Sequence, residues 1–186
     1  MSTTETAAAA APTPDDAHLQ ARLAKRLREV DRGERAIAAW MGVRIGARTL
    51  LIPLSHASEL MPGQRPTPVP YTQPWFLGLV NCRGELAGVI DLAAYIDPET
   101  PPRHAQSFGQ TRLLTFNPAL EINAALVIDH MAGLKSQGDF VQAYAPRSDN
   151  PWPFLGNFYI DRDGTTWQEL NLQRLSEDPR FISIGL

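Results

Sequence analysis

Cysteine is nearly absent. Cys82 stands alone in 186 residues, so no internal disulfide can form and no multi-cysteine zinc site can be built. Lysine is almost as scarce: 15 of the 17 basic residues are arginine, a bias that reads as genomic base composition and carries little functional weight. There is no excess of positive charge. A formal net charge of -3 excludes the global positive field that draws a protein to nucleic acid or anionic lipid. Long apolar runs are missing too, since none approaches the roughly 18 residues that cross a bilayer. Met1 to Ala11 carries Glu5 and no Lys or Arg, so the basic front of a signal peptide is lacking. Together these absences predict a cytoplasmic protein with no direct membrane insertion, whose partners are proteins or neutral ligands.

What the chain does contain is one pattern written twice. Trp75-Phe-Leu-Gly-Leu-Val-Asn-Cys-Arg-Gly-Glu-Leu-Ala-Gly-Val-Ile-Asp-Leu92 is two apolar strands around a polar turn. Downstream, Phe76-Leu77-Gly78 recurs as Phe154-Leu155-Gly156, Asn81-Cys82-Arg83-Gly84 is answered by Asp161-Arg162-Asp163-Gly164, and Asp91-Leu92 by Asn171-Leu172. The offset grows from 78 to 80 across the turn, where an insertion is best tolerated. A unit used twice predicts two similar β subdomains.

Residues 1–14, rich in Ala, Thr and Pro, cannot bury enough surface to offset ordering entropy and are predicted to be a disordered tail. Asp15 and Asp16 then supply capping charge, Leu19, Leu23, Leu27 and Val30 recur at helical spacing, and Gly33 offers a stop. The spacing predicts an amphipathic helix over 15–35. Its six basic and five acidic side chains (Arg22, Lys25, Arg26, Arg28, Arg32, Arg35; Asp15, Asp16, Glu29, Asp31, Glu34) nearly balance, which favours a solvated face over a membrane or nucleic-acid helix.

From residue 36 the texture turns to short β-prone runs separated by Gly, Pro and Asn. Trp40–Ile45 and Leu50–Leu54 read as a hairpin, Ser55–Leu60 as a bend or short helical turn, and the prolines from 62 to 70 as an extended segment. Ala93–Ile96 reads as a helical turn, and residues 97–110, with Pro98, Pro101 and Pro102, as a linker. Thr111–Phe116, Ile122–Ile128, the echo hairpin and a helix at Leu172–Ser176 complete the order. The expected units are a first subdomain at about 36–97, a second at about 110–176 and a tail at 177–186. Runs of short strands predict a mainly β fold of small barrels or a sandwich.

At this point a family is recognisable. Gly78-Leu-Val-Asn-Cys-Arg-Gly84 followed by Gly88-Val-Ile-Asp-Leu92 resembles the signature of the CheW-like domain, the coupling module of bacterial chemosensory arrays. Leu51-Ile-Pro-Leu-Ser-His-Ala-Ser-Glu-Leu60 is similar to the family's second strand and following turn, and Leu126-Val-Ile-Asp129 to its counterpart in the second half. Pro74–Gly78, Trp167–Leu172 and Asp178-Pro-Arg-Phe181 resemble the PilI branch, which serves type IV pili and twitching motility. The resemblance implies two intertwined five-stranded SH3-like barrels without a catalytic centre, metal or cofactor. It also implies two partners: a chemoreceptor's cytoplasmic hairpin tip and the regulatory domain of a CheA-type histidine kinase, met at membrane-associated receptor arrays.

Site residues follow from matching positions. Arg83 falls on the family's arginine, and as a long cationic fork at a hairpin tip it can pair with a partner carboxylate; a solvated turn arginine is the alternative. Glu59, with Leu60 beside it, matches an acidic position next to the receptor groove, and could equally be an ordinary bend carboxylate. Gly78, Asn81 and Gly84 shape the turn, Gly78 by marking a strand bulge or close backbone approach. Cys82 departs from the family's usual apolar residue at little cost, since a thiol packs as a small hydrophobe. Trp167, Gln168 and Glu169 bring bulk and polarity where many relatives are aliphatic, which leaves the kinase contacts of that strand open.

Two other functions compete with this reading. A thiol enzyme would pair Cys82 with His56 or His130, although a thiol in an apolar strand is inert. A small-barrel nucleic-acid module is disfavoured by the acidic balance and the scattered aromatics Phe76, Tyr95, Phe116 and Tyr159. The histidines 18, 56, 104 and 130 have no metal-ligand spacing, and Asp91 and Asp129 follow apolar strands, where carboxylates usually cap the next turn.

Overall fold

The computed structural model describes residues 39–103 and 105–186; the predicted tail 1–14 and helix 15–35 lie outside the described residues. The chain enters through a hairpin of β1 (Trp40–Ile45) and β2 (Arg48–Pro53), then a 3-10 turn at Leu54–His56 and β3 (Ala57–Pro62). The bend expected at Ser55–Leu60 is therefore mostly strand: only its first residues turn. The repeated hairpin follows as β4 (Phe76–Cys82) and β5 (Glu85–Ile90), closed by helix α1 (Leu92–Ile96). After a further 3-10 turn at Ala105–Gln110 come β6 (Arg112–Phe116), β7 (Ala124–Ile128), β8 (His130–Lys135) and β9 (Phe140–Tyr144). The echo hairpin is β10 (Leu155–Asp161) and β11 (Thr166–Leu170), followed by helices α2 (Leu172–Ser176) and α3 (Pro179–Ile182).

The strands form two sheets. One runs β8-β1-β2-β11-β10-β9 and the other β3-β6-β7-β5-β4, so the second has five strands and the first has six. Sheet membership does not follow the proline-rich stretch at 97–110. The first hairpin leaves its own half to pair antiparallel with β8 and parallel with β11, while β6 and β7 cross back to β3 and β5. The hydrogen-bonded units thus draw on residues 40–53 with 130–170, and on 57–128, and the two sequence halves are interleaved.

Burial explains which runs are unbroken. Leu50 and Ile52 of β2 and Leu126 and Ile128 of β7 face a core between the sheets, which α1, α2 and α3 close with Leu92, Tyr95, Leu172, Leu175 and Phe181. The opposite faces of the same strands are also covered. Ala125 and Val127 join Val80, Val89, Leu113 and Phe108 inside the five-stranded sheet, and Leu51 joins Phe140, Tyr159 and Trp167 inside the six-stranded one. Strands buried on both sides read as continuous apolar runs, whereas β1 keeps Arg44 exposed between buried Val43 and Ile45.

The repeat has a structural meaning beyond the hairpin. Asp91 caps α1 by accepting from the Ala93 and Ala94 amides, and Asn171 caps α2 by accepting from Arg174. The backbone N–H of each cap donates, 2.8 Å in both cases, to Trp75 O and Phe154 O at the start of its own hairpin. The two-residue growth in offset sits in the turns: two residues separate β4 from β5 and four separate β10 from β11. The C-terminal segment is anchored rather than trailing. Phe181 is buried against Trp75 and Phe116, and Gln73 and Leu186 exchange backbone bonds with Ile184 and Tyr71.

Candidate partner-binding site

The tip of the first hairpin is Arg83-Gly84, and both residues have positive φ, 53° and 97°. A two-residue hairpin loop with positive φ at both positions follows the right-handed twist of its strands, and glycine takes such a φ without strain. Arg83 does not have that freedom. Asn81 secures the turn by accepting from the Gly84 amide at 2.7 Å. Gly78, at φ 125°, lies at the register shift in β4, where any Cβ would collide with the Thr67 carbonyl. That close approach lets Thr67 and Leu79 exchange backbone bonds of 2.8 and 2.9 Å.

Glu59 and Arg83 form an ion pair. Glu59 stands on β3 and Arg83 in the turn just past β4, and these strands are the two opposite edges of the five-stranded sheet, so the sheet curls enough for a side chain to bridge them. The Arg83 side chain remains 79% exposed and Glu59 30%, so the pair is a surface feature with guanidinium donors left for a partner. Leu60 is half-buried and packs against the core between the sheets, on the same strand as Glu59. Leu86, paired across the hairpin with Asn81, is 61% exposed and adds an apolar element to the same tip. Sequence reasoning missed it because Leu86 sits in an apolar run; its place after the polar turn, out of phase with buried Ala87, was the available signal.

A second arrangement also escaped the sequence. Arg103, in the proline-rich stretch, inserts between the strand-end carboxylates Asp91 and Asp129. Its Nε donates to Asp91 Oδ2 at 2.7 Å and its Nη1 to Asp129 Oδ1 at 2.5 Å. Asp129 also accepts from the Gly46 amide in the β1–β2 turn at 2.6 Å, so one guanidinium ties the ends of β5 and β7 to the other sheet. Burial alone would raise the Asp129 carboxyl, but the Arg103 hydrogen bonds, the Gly46 N–H and the Arg103 charge outweigh it and hold it below the ordinary carboxylate range. The pair that could be imagined as acid and base is locked into an ion-paired clamp.

The reactive-thiol arrangement is not assembled. Burial, and then the Glu59 charge, pushes the Cys82 thiol up, away from thiolate. His56 Nδ1 instead accepts from the Leu172 amide at 3.3 Å, and His130 is exposed on β8. Among the described residues no group of three or more His, Cys, Asp and Glu could hold a metal ion. Trp167 is buried, its indole N–H donating to Asp161 Oδ2 at 2.8 Å, so this bulky departure packs inside the six-stranded sheet with Leu51, Phe140 and Tyr159.

Two sheets, exchanged strands and a tight hairpin tip define the class. The chain belongs to the CheW-like domain family, whose model matches residues 39–180. Among curated proteins it is similar to Protein PilI of Pseudomonas aeruginosa, with 27% identity over 158 residues that cover 82% of this chain and 84% of that relative. Among solved structures it is similar to the scaffolding protein TtCheW of Thermoanaerobacter tengcongensis, at a TM-score of 0.62 and 14% identity, covering 80% of this chain and 98% of that one. The last likeness concerns the fold.

Proposed function

We propose that this chain is a non-catalytic adaptor that couples a methyl-accepting chemoreceptor to a CheA-type histidine kinase. The array would be one controlling type IV pili and twitching motility, to which the chain is recruited at the membrane. The observation that carries this reading is the Arg83–Glu59 pair. Two residues matched to family positions, 24 apart in sequence, meet at one exposed hairpin tip where a partner carboxylate could compete for the guanidinium. The likeness to PilI supports the pilus-linked output. Arg83, Glu59 and Leu60 are the proposed receptor contacts, and Gly78, Asn81 and Gly84 hold the surface in shape.

The mechanism is geometric. Two barrels interleaved through shared strands present separate surfaces at fixed orientation, so one chain can hold receptor and kinase together and favour one kinase arrangement over another. The test is association with the isolated kinase regulatory domain and with receptor-containing membranes. Co-purification with both, and loss of receptor control over kinase activity when the chain is omitted, are the expected results. No association with the kinase domain when both proteins are folded would overturn the adaptor reading, and unchanged twitching after deletion would overturn the pilus assignment.

A further inference from the structure

A cavity of about 840 Å³ lies at the open end of the β4–β5 hairpin, between α1, α3 and the proline-rich strap that carries Arg103. Its size falls within the usual range for small-molecule sites. Trp75, Leu77, Ala94 and Tyr95 line its floor and Trp152 one wall, while Pro98, Pro101 and Pro102 supply the strap. The aromatic lining is fixed by packing. Trp75 meets Tyr95 edge-on at 5.0 Å between ring centroids, Tyr95 meets Trp152 at 5.6 Å, and Trp75 stacks on Phe181 at 5.8 Å.

The charges around the cavity are already matched. Asp91 and Arg103 hold each other at 2.7 Å, and Arg103 also holds Asp129. Arg180 pairs with Asp178 at 3.0 Å and lies 4.6 Å over the Trp152 ring. Glu99 is exposed at the rim. The Tyr95 hydroxyl is buried, and burial, then Asp178 beside it, pushes its phenol up, so it contributes no charge at neutral pH. A charged ligand reaching the floor would lose its hydration among charges that are already paired, since the Glu99 carboxylate stays out at the solvated rim. A neutral ring would meet aromatic and prolyl surface on several sides.

The strap makes the cavity preformed. Thr100 Oγ1 donates to the Ala93 carbonyl at 3.2 Å, and Arg103 pins the far end to both strand-end carboxylates. Little ordering cost remains for a ligand to meet.

We infer that this cavity is a binding site for a neutral, ring-bearing small molecule, separate from the proposed receptor contacts. It does not depend on the adaptor reading.

The test uses the full chain with 19F-labelled tryptophan, the Trp75 and Trp152 signals being assigned from single Phe replacements. Indole and benzamide are the neutral probes, and benzoate and benzylammonium the charged ones, each titrated to about 10 mM. The expected result is saturable movement of the Trp152 signal with the neutral probes and at least about tenfold weaker binding of the charged ones, because only the latter lose unreplaced hydration. Ser183→Trp, at an exposed position on the cavity mouth, should abolish saturation without changing the thermal midpoint, and Ala94→Leu should weaken it by narrowing the floor. The inference is overturned if neither neutral probe saturates, if the charged probes bind as well, or if Ser183→Trp binds like the parent protein.

Discussion

Arg83 occupies a backbone conformation that costs an L-residue about 1–2 kcal/mol relative to glycine, and it spends that cost at an exposed tip. Its ion pair with Glu59 returns little, since exposed pairs contribute about 0–1 kcal/mol. Stability therefore does not account for an arginine here, which supports the partner contact proposed for it. Arg83→Ala keeps the same φ cost, so its unfolding free energy should stay within about 0.5 kcal/mol of the parent. Receptor affinity should fall by about 2–5 kcal/mol if Arg83 anchors a desolvated charged contact. Denaturant unfolding alongside a binding titration separates the two; unaltered affinity in the folded variant would make Arg83 an ordinary turn residue.

Between elements, two polar contacts join parts of the chain that no sequence period connects. The Asp91 side chain is 2% exposed, and Arg103 is its charged partner. Removing that partner strands a buried carboxylate, so Arg103→Ala should destabilise by about 3–5 kcal/mol in urea unfolding at neutral pH. A loss below about 1 kcal/mol would show that the caps and the Gly46 amide hold the clamp alone. His56 joins the turn before β3 to the start of α2 by accepting from the Leu172 amide. Burial lowers its pKa from the ordinary 6.5, with Glu169 opposing more weakly. The unfolded state then binds the proton more readily than the folded one. The contribution of neutral His56 is fully present above pH 6.5 and is lost as pH falls through that value toward the folded pKa. The thermal midpoint should drop between pH 7.5 and pH 5.5, and His56→Asn, which keeps an acceptor but cannot titrate, should flatten that drop. An equal drop in both proteins would place the titration elsewhere.

For the whole molecule, what could be read from the sequence was what is local. The hairpins at 40–53, 76–90 and 155–170 announce themselves through apolar strands and Gly-containing turns, and α1 and α2 through their caps. β3 was hidden because Ser58 and Glu59 interrupt its apolar pattern, and β8 and β9 because Gly133 and the Ser136–Asp139 turn break theirs. Arg83 and Glu59 were legible as candidate residues through the family resemblance, but not their contact, which requires the two edges of a sheet to approach. The exchange of strands was equally invisible, because parallel pairing of β2 with β11 joins residues more than 100 apart. That exchange predicts how the molecule fails when cut. A fragment of residues 39–103 has β1 and β2 without β8 or β11, and leaves Leu50, Leu51 and Ile52, fully buried in the intact protein, without the second half of their core. A fragment of residues 104–186 leaves β6 and β7 without β3 and β5. Neither should fold alone, whereas an equimolar mixture should recover dispersed amide resonances as the strands find their partners across the cut. A dispersed spectrum from either fragment by itself would mean that the sequence halves are the folding units and that the exchange is a late embellishment.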